Sequence, residues 1–321
     1  MEDLPLHRFA HEAMTTRFEV VVAGGSARYA GEVASELFRE VDRYERLLSR
    51  HDPGSDISQI NRLRPGETAR LSLEAYTCLR LAAHLAQETA GAFDVTCGPL
   101  LACWAEARRQ GLETPAPRLL ADALARVGMR QLQLYATPPE SGAPREFSVT
   151  LAPDSRGVIL DLGAVGKGFA LDGLRETLVD WKVDNVLVHS GTSTALALGP
   201  GPTPGERGWV VGVGGDWGSA QGFSRLRLHN AALSGSGMAV KGRHILDPRR
   251  GRPVTATMGA WILCDSAAAA DALSTAYMVF SPAEADAFSR RHPDLWAMTV
   301  MAAAAAAPPV ARTYGQADLL P

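Results

Sequence analysis

The chain has 321 residues, enough for one large domain or two of ordinary size, and its 46% hydrophobic and 21% charged residues are those of a folded globular protein, so dominant disorder is excluded. Lys and Arg number 32 against 35 Asp and Glu, a formal charge of −3 that gives no general attraction to nucleic acid. The cysteines at 78, 97, 103 and 264 show neither CxxC spacing nor a disulfide framework, which speaks against a zinc or thioredoxin-type site and for a reducing compartment. The opening MEDLPLHRFAHEAM has no basic segment followed by an apolar one, and Val300 to Ala307 is far shorter than the roughly 18 residues a membrane span needs. A cytoplasmic protein without a membrane span is expected.

Phe18 to Ala23 is a β-branched run closed by two glycines and reads as an early strand. Val33, Leu37, Val41, Tyr44, Leu47 and Leu48 then recur at helical spacing within Ala27 to Ser49. Ser55 or Asp56 can cap a short helix through Ile57, Ile60 and Asn61. Ser72 to Ala90 reads as a helix capped by Ser72 and stopped by Gly91, and Leu119 to Val127 as a shorter one. The Pro/Gly-rich residues 137–146 read as a loop between two strands, and Val158 to Leu162 as a buried strand ending at Gly163. A helix over Lys167 to Leu178 follows, then strands at Asn185 to Ser190 and Ala195 to Leu198 and a second irregular loop over 199–208. Further strands are expected at Trp209 to Val213, Leu226 to Leu228, Met258 to Cys264 and Trp296 to Val300, with an Ala-rich helix from about Ser266 to Phe280. Strands and helices mix without a βαβ rhythm, which favours an α+β fold. The expectation is a single domain over 1–321, with a division into subdomains of about 1–150 and 151–321 as the alternative and 302–321 as a peripheral, low-complexity tail.

Three local patterns fail as simple motifs. Gly163 to Gly168 (GAVGKG) has neither the spacing of a Walker A loop nor that of a dinucleotide fingerprint, leaving a glycine-rich strand-to-helix turn whose helix N-terminus suits an anion. Gly191 to Ala195 (GTSTA) approaches a nucleophile elbow, but the residues after it alternate like a strand. The basic residues Lys241, Arg243, Arg249, Arg250 and Arg252 surround an Asp247-Pro248 turn and read as a solvated loop or a phosphate contact.

In order and spacing these pieces resemble the ApbE family of FAD:protein FMN transferases, from about residue 13 to 281. The stretches concerned are Ala13 to Thr16 before the first strand, Leu48-Ser49 through Ser55-Asp56-Ile57 to Ile60-Asn61, and Gly91 to Leu100 (GAFDVTCGPL). Leu160 to Gly168 through Asp172, Ser234-Gly235 with His244 to Pro253 (HILDPRRGRP), and Asp271 to Ala276 (DALSTA) complete the set. The resemblance implies an α+β, tunnelling-fold-like architecture with mixed or antiparallel sheets and flanking helices. It also implies an enzyme that binds FAD with Mg²⁺ and transfers FMN to a Ser or Thr hydroxyl of an acceptor protein, releasing AMP.

Site roles follow from the resemblance residue by residue. FAD contacts are implied for Met14, Ala92, Phe93, Asp94, Asp161, Lys167 and Ile245, and Mg²⁺ ligation for Asp271, Thr275 and the carbonyl of Ala164. Asp271 and Thr275 are i and i+4 on the Ala-rich helix and so share a face, and both are hard oxygen donors. Read without the resemblance, Asp271 could decorate the helix and Thr275 could bond back to a carbonyl. Likewise Lys167 could be a surface lysine, Asp161 a helix cap and Phe93 core. His244 can act as base or as orienting group for the acceptor hydroxyl, and Asp271 is the rival catalytic base. Thr15, His51 and Thr192 depart from the family pattern, where a glycine, an aromatic residue and a glycine are expected. Two other readings are an FAD pyrophosphatase giving FMN and AMP, and a flavin-binding protein without turnover.

Overall fold

The computed structural model describes residues 3–138, 145–214, 223–238, 244–302, 309–317 and 319–320. Lys241 and Arg243 of the basic segment, the centre of the 137–146 loop and most of the alanine run lie outside the described residues. In chain order the elements are β1 (Leu6–Ala13), β2 (Thr16–Ala23), α1 (Ala27–Leu48), α2 (Asp56–Ile60), β3 (Thr68–Leu71), α3 (Leu73–Glu88), α4 (Gly98–Arg109), α5 (Pro117–Ala125), β4 (Leu132–Ala136) and β5 (Phe147–Leu151). Then come α6 (Gly166–Asp180), β6 (Val186–Ser190), β7 (Thr194–Leu198), β8 (Trp209–Gly214), β9 (Phe223–Leu228), β10 (Ala231–Gly237), β11 (Leu246–Asp247) and β12 (Arg252–Pro253). The last are β13 (Thr257–Cys264), α7 (Ala267–Val279), α8 (Pro282–Arg291), β14 (Trp296–Met301), β15 (Val310–Tyr314) and β16 (Leu319–Leu320). The chain forms two compact units: Met1–Arg43 with Lys167–Ile245 and Val254–Pro321, and Tyr44–Gly166 with Leu246–Pro253.

The first unit is built on an eight-stranded sheet of order β1-β2-β6-β7-β10-β13-β14-β15, antiparallel at each of its pairings. Side chains alternate across a strand, so the unbroken apolar run of β2 serves two cores. Phe18, Val20 and Val22, with Val186, Val188 and Leu196, meet Val33, Leu37 and Val41 of α1 and Leu171, Leu174 and Leu178 of α6. On the opposite face Val21, Ala197, Leu233 and Trp296 pack with Trp209, Val213, Leu226 and Leu228 of the small β16-β9-β8 sheet. This is the α+β class with antiparallel sheets that the sequence implies.

Two contacts fix α7, the Ala-rich helix. Its N-cap Ser266 accepts from the Ala269 N–H, while Asp172 of α6 accepts from the Ala267 and Ala268 N–H groups, both at 2.9 Å, and from the Ser266 hydroxyl at 2.6 Å. A carboxylate is thus lodged against the positive end of the helix. Gly168 of α6 lies so close to α7 that a Cβ there would overlap the Ala267 carbonyl. The glycine serves helix-to-helix approach, a reason the GAVGKG pattern does not reveal by itself.

The second unit holds the β3-β5-β4 sheet, helices α2 to α5 and the β11-β12 ribbon. Leu100 and Trp104 of α4, Ala123, Val127 and Leu246 form one of its cores, and the Trp104 indole N–H donates to the Gly251 carbonyl at 2.8 Å. All four cysteines are free thiols.

Several elements differ from the sequence-based expectation. Residues 158–162 form no ladder strand: the Asp161 N–H bonds the Val95 carbonyl, the Gly98 N–H bonds Ile159, and the Asn61 amide takes both the N–H and the C=O of Leu160. The sequence-based expectation has no counterpart of strands β1, β3, β10, β11, β12, β15 and β16 or of helices α4 and α8. Part of the 302–321 tail is structural, since β15 pairs with β14 from Ala297↔Tyr314 to Met301↔Val310.

Candidate active site

Asp271 projects from the middle of α7 and is 4% exposed. Its Oδ2 accepts from the Lys167 ammonium at 3.5 Å and the Gly168 N–H at 3.2 Å, and its Oδ1 from the Ser234 hydroxyl at 3.4 Å. These distances are long for charge-assisted bonds, which run nearer 2.7–2.9 Å, so the carboxylate is surrounded by donors without being tightly clasped. Asp271 and its i+4 residue Thr275 each contact a serine of β10. Thr275 Oγ1 is 3.2 Å from Ser236 Oγ, which is 2.7 Å from Ser274 Oγ. Ser274, not Thr275, makes the backward bond to the Asp271 carbonyl, at 2.8 Å. Strand β10 supplies Ser234 and Ser236 because α7 packs across it. Between them Gly235 faces the other side of the sheet, where a Cβ would stand 2.6 Å from the Trp261 ring of β13.

Among the described residues no three His, Cys, Asp or Glu side chains gather as a metal cluster. A cation at Asp271 would have one carboxylate and otherwise neutral oxygens, the donor set that suits Mg²⁺ completed by water and phosphate. Zinc would call for nitrogen or sulfur ligands instead.

In the second unit, Asp161 stands at the end of the 158–162 segment. Its Oδ1 accepts from the Gly163 N–H at 2.8 Å, and its Oδ2 pairs with the Arg50 guanidinium at 3.2 Å. Arg50 Nε in turn donates to His51 Nε2 at 3.3 Å. Cys97 lies nearby: burial pushes its thiol well above the ordinary range, and the Asp161 and Asp94 carboxylates add to that rise, so it is a neutral thiol and no nucleophile. Asp94 Oδ1 accepts from the Thr96 N–H at 2.8 Å and the Thr96 hydroxyl at 2.6 Å. Asp94 also borders a cavity of about 230 Å³, whose walls include Gly91, Leu124, Val127, Arg130 and Arg249.

The remaining predicted site residues fall as follows. Ala92 and Phe93 are buried in the core, at 0% and 2% exposure, so a ligand would reach their backbone rather than their side chains. Met14 and Thr15 form the β1–β2 hairpin turn at φ 50° and 59°, a conformation that glycine adopts without cost and a β-branched threonine does not. Ala164 sits in the turn closed by the Gly166 N–H to Leu162 bond, directly before α6. Ile245 is buried, and its carbonyl accepts from the Val254 N–H; His244 precedes it, half-buried. GTSTA is a hairpin turn between β6 and β7, with Gly191 at φ 57°, and not a nucleophile elbow. Sequence reasoning missed Arg50, Ser236 and Ser274. Only Ser274, three residues from Asp271 on the same helix face, had a readable signal.

An antiparallel α+β fold with a hydroxyl-lined carboxylate beside a lysine defines a class, and residues 14–299 match the ApbE family. The chain belongs to the ApbE family. The FAD:protein FMN transferase of Treponema pallidum (strain Nichols) is 28% identical over 293 residues, covering 86% of this chain and 79% of that protein. The FAD:protein FMN transferase of Klebsiella pneumoniae (strain 342) is 26% identical over 287 residues, covering 85% and 78%. Both relatives are, by name, transferases. Among solved structures, the apo form of the Pseudomonas stutzeri flavinyl transferase ApbE matches with a TM-score of 0.80 at 22% identity, covering 98% of this chain and 96% of that one, a likeness of fold. The ApbE protein of Thermotoga maritima gives a TM-score of 0.75 at 26% identity, covering 92% and 94%. No helix among the described residues is long and apolar enough to cross a membrane.

Proposed function

We propose that this chain is a Mg²⁺-dependent FAD:protein FMN transferase that attaches FMN to a Ser or Thr hydroxyl of an acceptor protein and releases AMP. The observation that supports this best is the Lys167–Asp271 pair, with Thr275 one turn further along the helix of Asp271, in a chain of the ApbE family. Asp271 and Thr275 offer side-chain oxygens to the cation, and the Ala164 carbonyl is the third ligand. A bound cation supplies charge neutralisation at the diphosphate and at the departing phosphate. Lys167, within reach of the same carboxylate, has an ammonium for a diphosphate oxygen. Met14, Asp94, Asp161 and Ile245, with the backbone of Ala92 and Phe93, are the residues we assign to FAD.

In the reaction the acceptor oxygen forms a bond to the flavin-side phosphorus. The bond from that phosphorus to the bridging oxygen breaks, and AMP leaves with the bridging oxygen. The hydroxyl proton passes to a base. We assign that role to His244, because both Asp271 oxygens already accept from Lys167, Gly168 and Ser234.

The test is incubation with FAD, Mg²⁺ and a candidate acceptor, read by mass spectrometry and nucleotide chromatography. AMP with a mass gain on the acceptor supports transfer. AMP with free FMN means a pyrophosphatase, and unchanged FAD means a binding protein. Outer-shell changes at metal sites cost about 10–100-fold, so D271A, which removes a direct ligand, is expected to lower transfer by at least about 100-fold. Near-normal transfer by D271A would refute the metal assignment.

A further inference from the structure

The hydroxyls of Ser236, Ser274 and Thr275 have only one proton arrangement that satisfies every contact they make with one another and with the Asp271 carbonyl. Ser274 Oγ is 2.8 Å from the Asp271 main-chain carbonyl, which has no proton to give, so Ser274 donates there. A hydroxyl has a single proton. At its 2.7 Å contact with Ser236 Oγ, Ser274 must therefore accept and Ser236 donate. The Ser236 proton is then committed, so at the 3.2 Å contact Thr275 donates to Ser236. The Thr275 proton consequently points at Ser236, and its oxygen presents only lone pairs in other directions. Ser274 is 0% exposed, so water offers it no exchange of partners.

We propose that Ser236 and Ser274 are positioning residues that turn Thr275 into an acceptor-only oxygen for a divalent cation; this rests on the cation reading of Asp271 and Thr275 above. A cation is attracted by lone pairs and repelled by a hydroxyl hydrogen, so the direction of that proton decides whether Thr275 binds it or opposes it. Ser234 is not fixed in this way: its single proton has two acceptors, the Ser193 carbonyl at 3.1 Å and Asp271 Oδ1 at 3.4 Å, and Thr194 Oγ1 lies 2.9 Å from it. Fixing the orientation of a ligand from behind is the ordinary task of groups around a metal.

The experiment measures Mn²⁺ binding to the full chain by electron paramagnetic resonance of the free ion, with and without FAD. Ser274→Ala releases the Ser236 proton to turn toward Thr275, and alanine maintains the helix. A rise of about 10-fold in the Mn²⁺ dissociation constant is expected for S274A and for S236A, with S274T restoring wild-type binding and thermal melts unchanged. In a Thr275→Val background, S274A should add nothing, because its effect passes through the Thr275 hydroxyl. Unchanged Mn²⁺ affinity in S274A and S236A, or full additivity with T275V, overturns the proposal while leaving the cation reading intact. A wild-type chain that binds neither Mn²⁺ nor Mg²⁺, with or without FAD, overturns both.

Discussion

Asp94 lies 8% exposed at the edge of the second unit's cavity, where burial raises its carboxyl above the ordinary value of 3.8, against the lowering effect of its two bonds from Thr96. A carboxylate raised in the folded state binds its proton more tightly folded than unfolded. Its protonated form therefore contributes stability that is complete below 3.8 and is lost as pH rises through the higher folded value. Asp94→Asn preserves an acceptor for Thr96 and removes the titration. The stability of wild type relative to D94N is expected to be highest below pH 3.8 and to fall as pH rises above it, as read from paired urea denaturation curves. A difference that is flat, or that grows with pH, contradicts the assigned burial effect. At this scale the sequence was most informative where chemistry follows local spacing. Asp271 and Thr275 share a helix face by i, i+4 geometry alone. Ser236 was not legible, because its role depends on β10 lying against α7, and no local pattern specifies that pairing. Arg50 was equally hidden, since its partner Asp161 belongs to a distant, irregular segment.

Elements follow the same division. Helices with a regular apolar stripe, such as α1 and α3, the Ala-rich α7, and strands with β-branched runs, such as β2 and β13, are visible in the sequence. Strand β10 reads AALSGSG, a composition with little strand preference, and it is extended because neighbours on both sides pair with it and Trp261 leaves room only for Gly235. Helix α4 begins at Gly98-Pro99, which reads as a turn; the proline occupies the first helical turn, where no N–H is needed, and Gly98 abuts the Ile159 carbonyl. Gly168 shows why a glycine motif can mislead: its spacing hinted at phosphate, while its contact is with the α7 backbone. Gly168→Ala is expected to cost about 1–3 kcal/mol by overpacking. It should also weaken Mn²⁺ binding, since the Gly168 N–H and Lys167 both meet Asp271. Guanidinium denaturation of G168A checks the first, and a midpoint equal to wild type would show that the two helices have slack the geometry does not suggest.

Across the whole molecule, the eight-stranded sheet runs in ascending chain order from β1 at one edge to β15 at the other, an antiparallel meander interrupted by insertions. Such interruptions defeat sequence reasoning: β2 and β6 are hydrogen-bonded neighbours, yet most of the second unit lies between them in the chain. The final edge is the least legible part. Strand β15 is largely exposed, and its sequence, VARTY, has a single buried position, Tyr314. That ring meets Tyr277 of α7 edge-on at 5.9 Å, and Tyr277 also meets Phe280 at 5.3 Å and Phe288 at 5.9 Å while its hydroxyl lies 2.6 Å from Ser289 Oγ. Burial pushes the Tyr277 phenol up to about 12, as expected of a ring sealed within this cluster. Through Tyr277 the edge strand β15 braces the helix that bears Asp271 and Thr275. Tyr314→Ala should therefore cost about 3 kcal/mol, in the range for truncating a packed aromatic ring. Tyr314→Phe maintains the ring and should stay within about 0.5 kcal/mol of wild type. Urea denaturation followed by tryptophan fluorescence measures both; equal midpoints for Y314A and wild type would show that the edge strand lies on the sheet without supporting it.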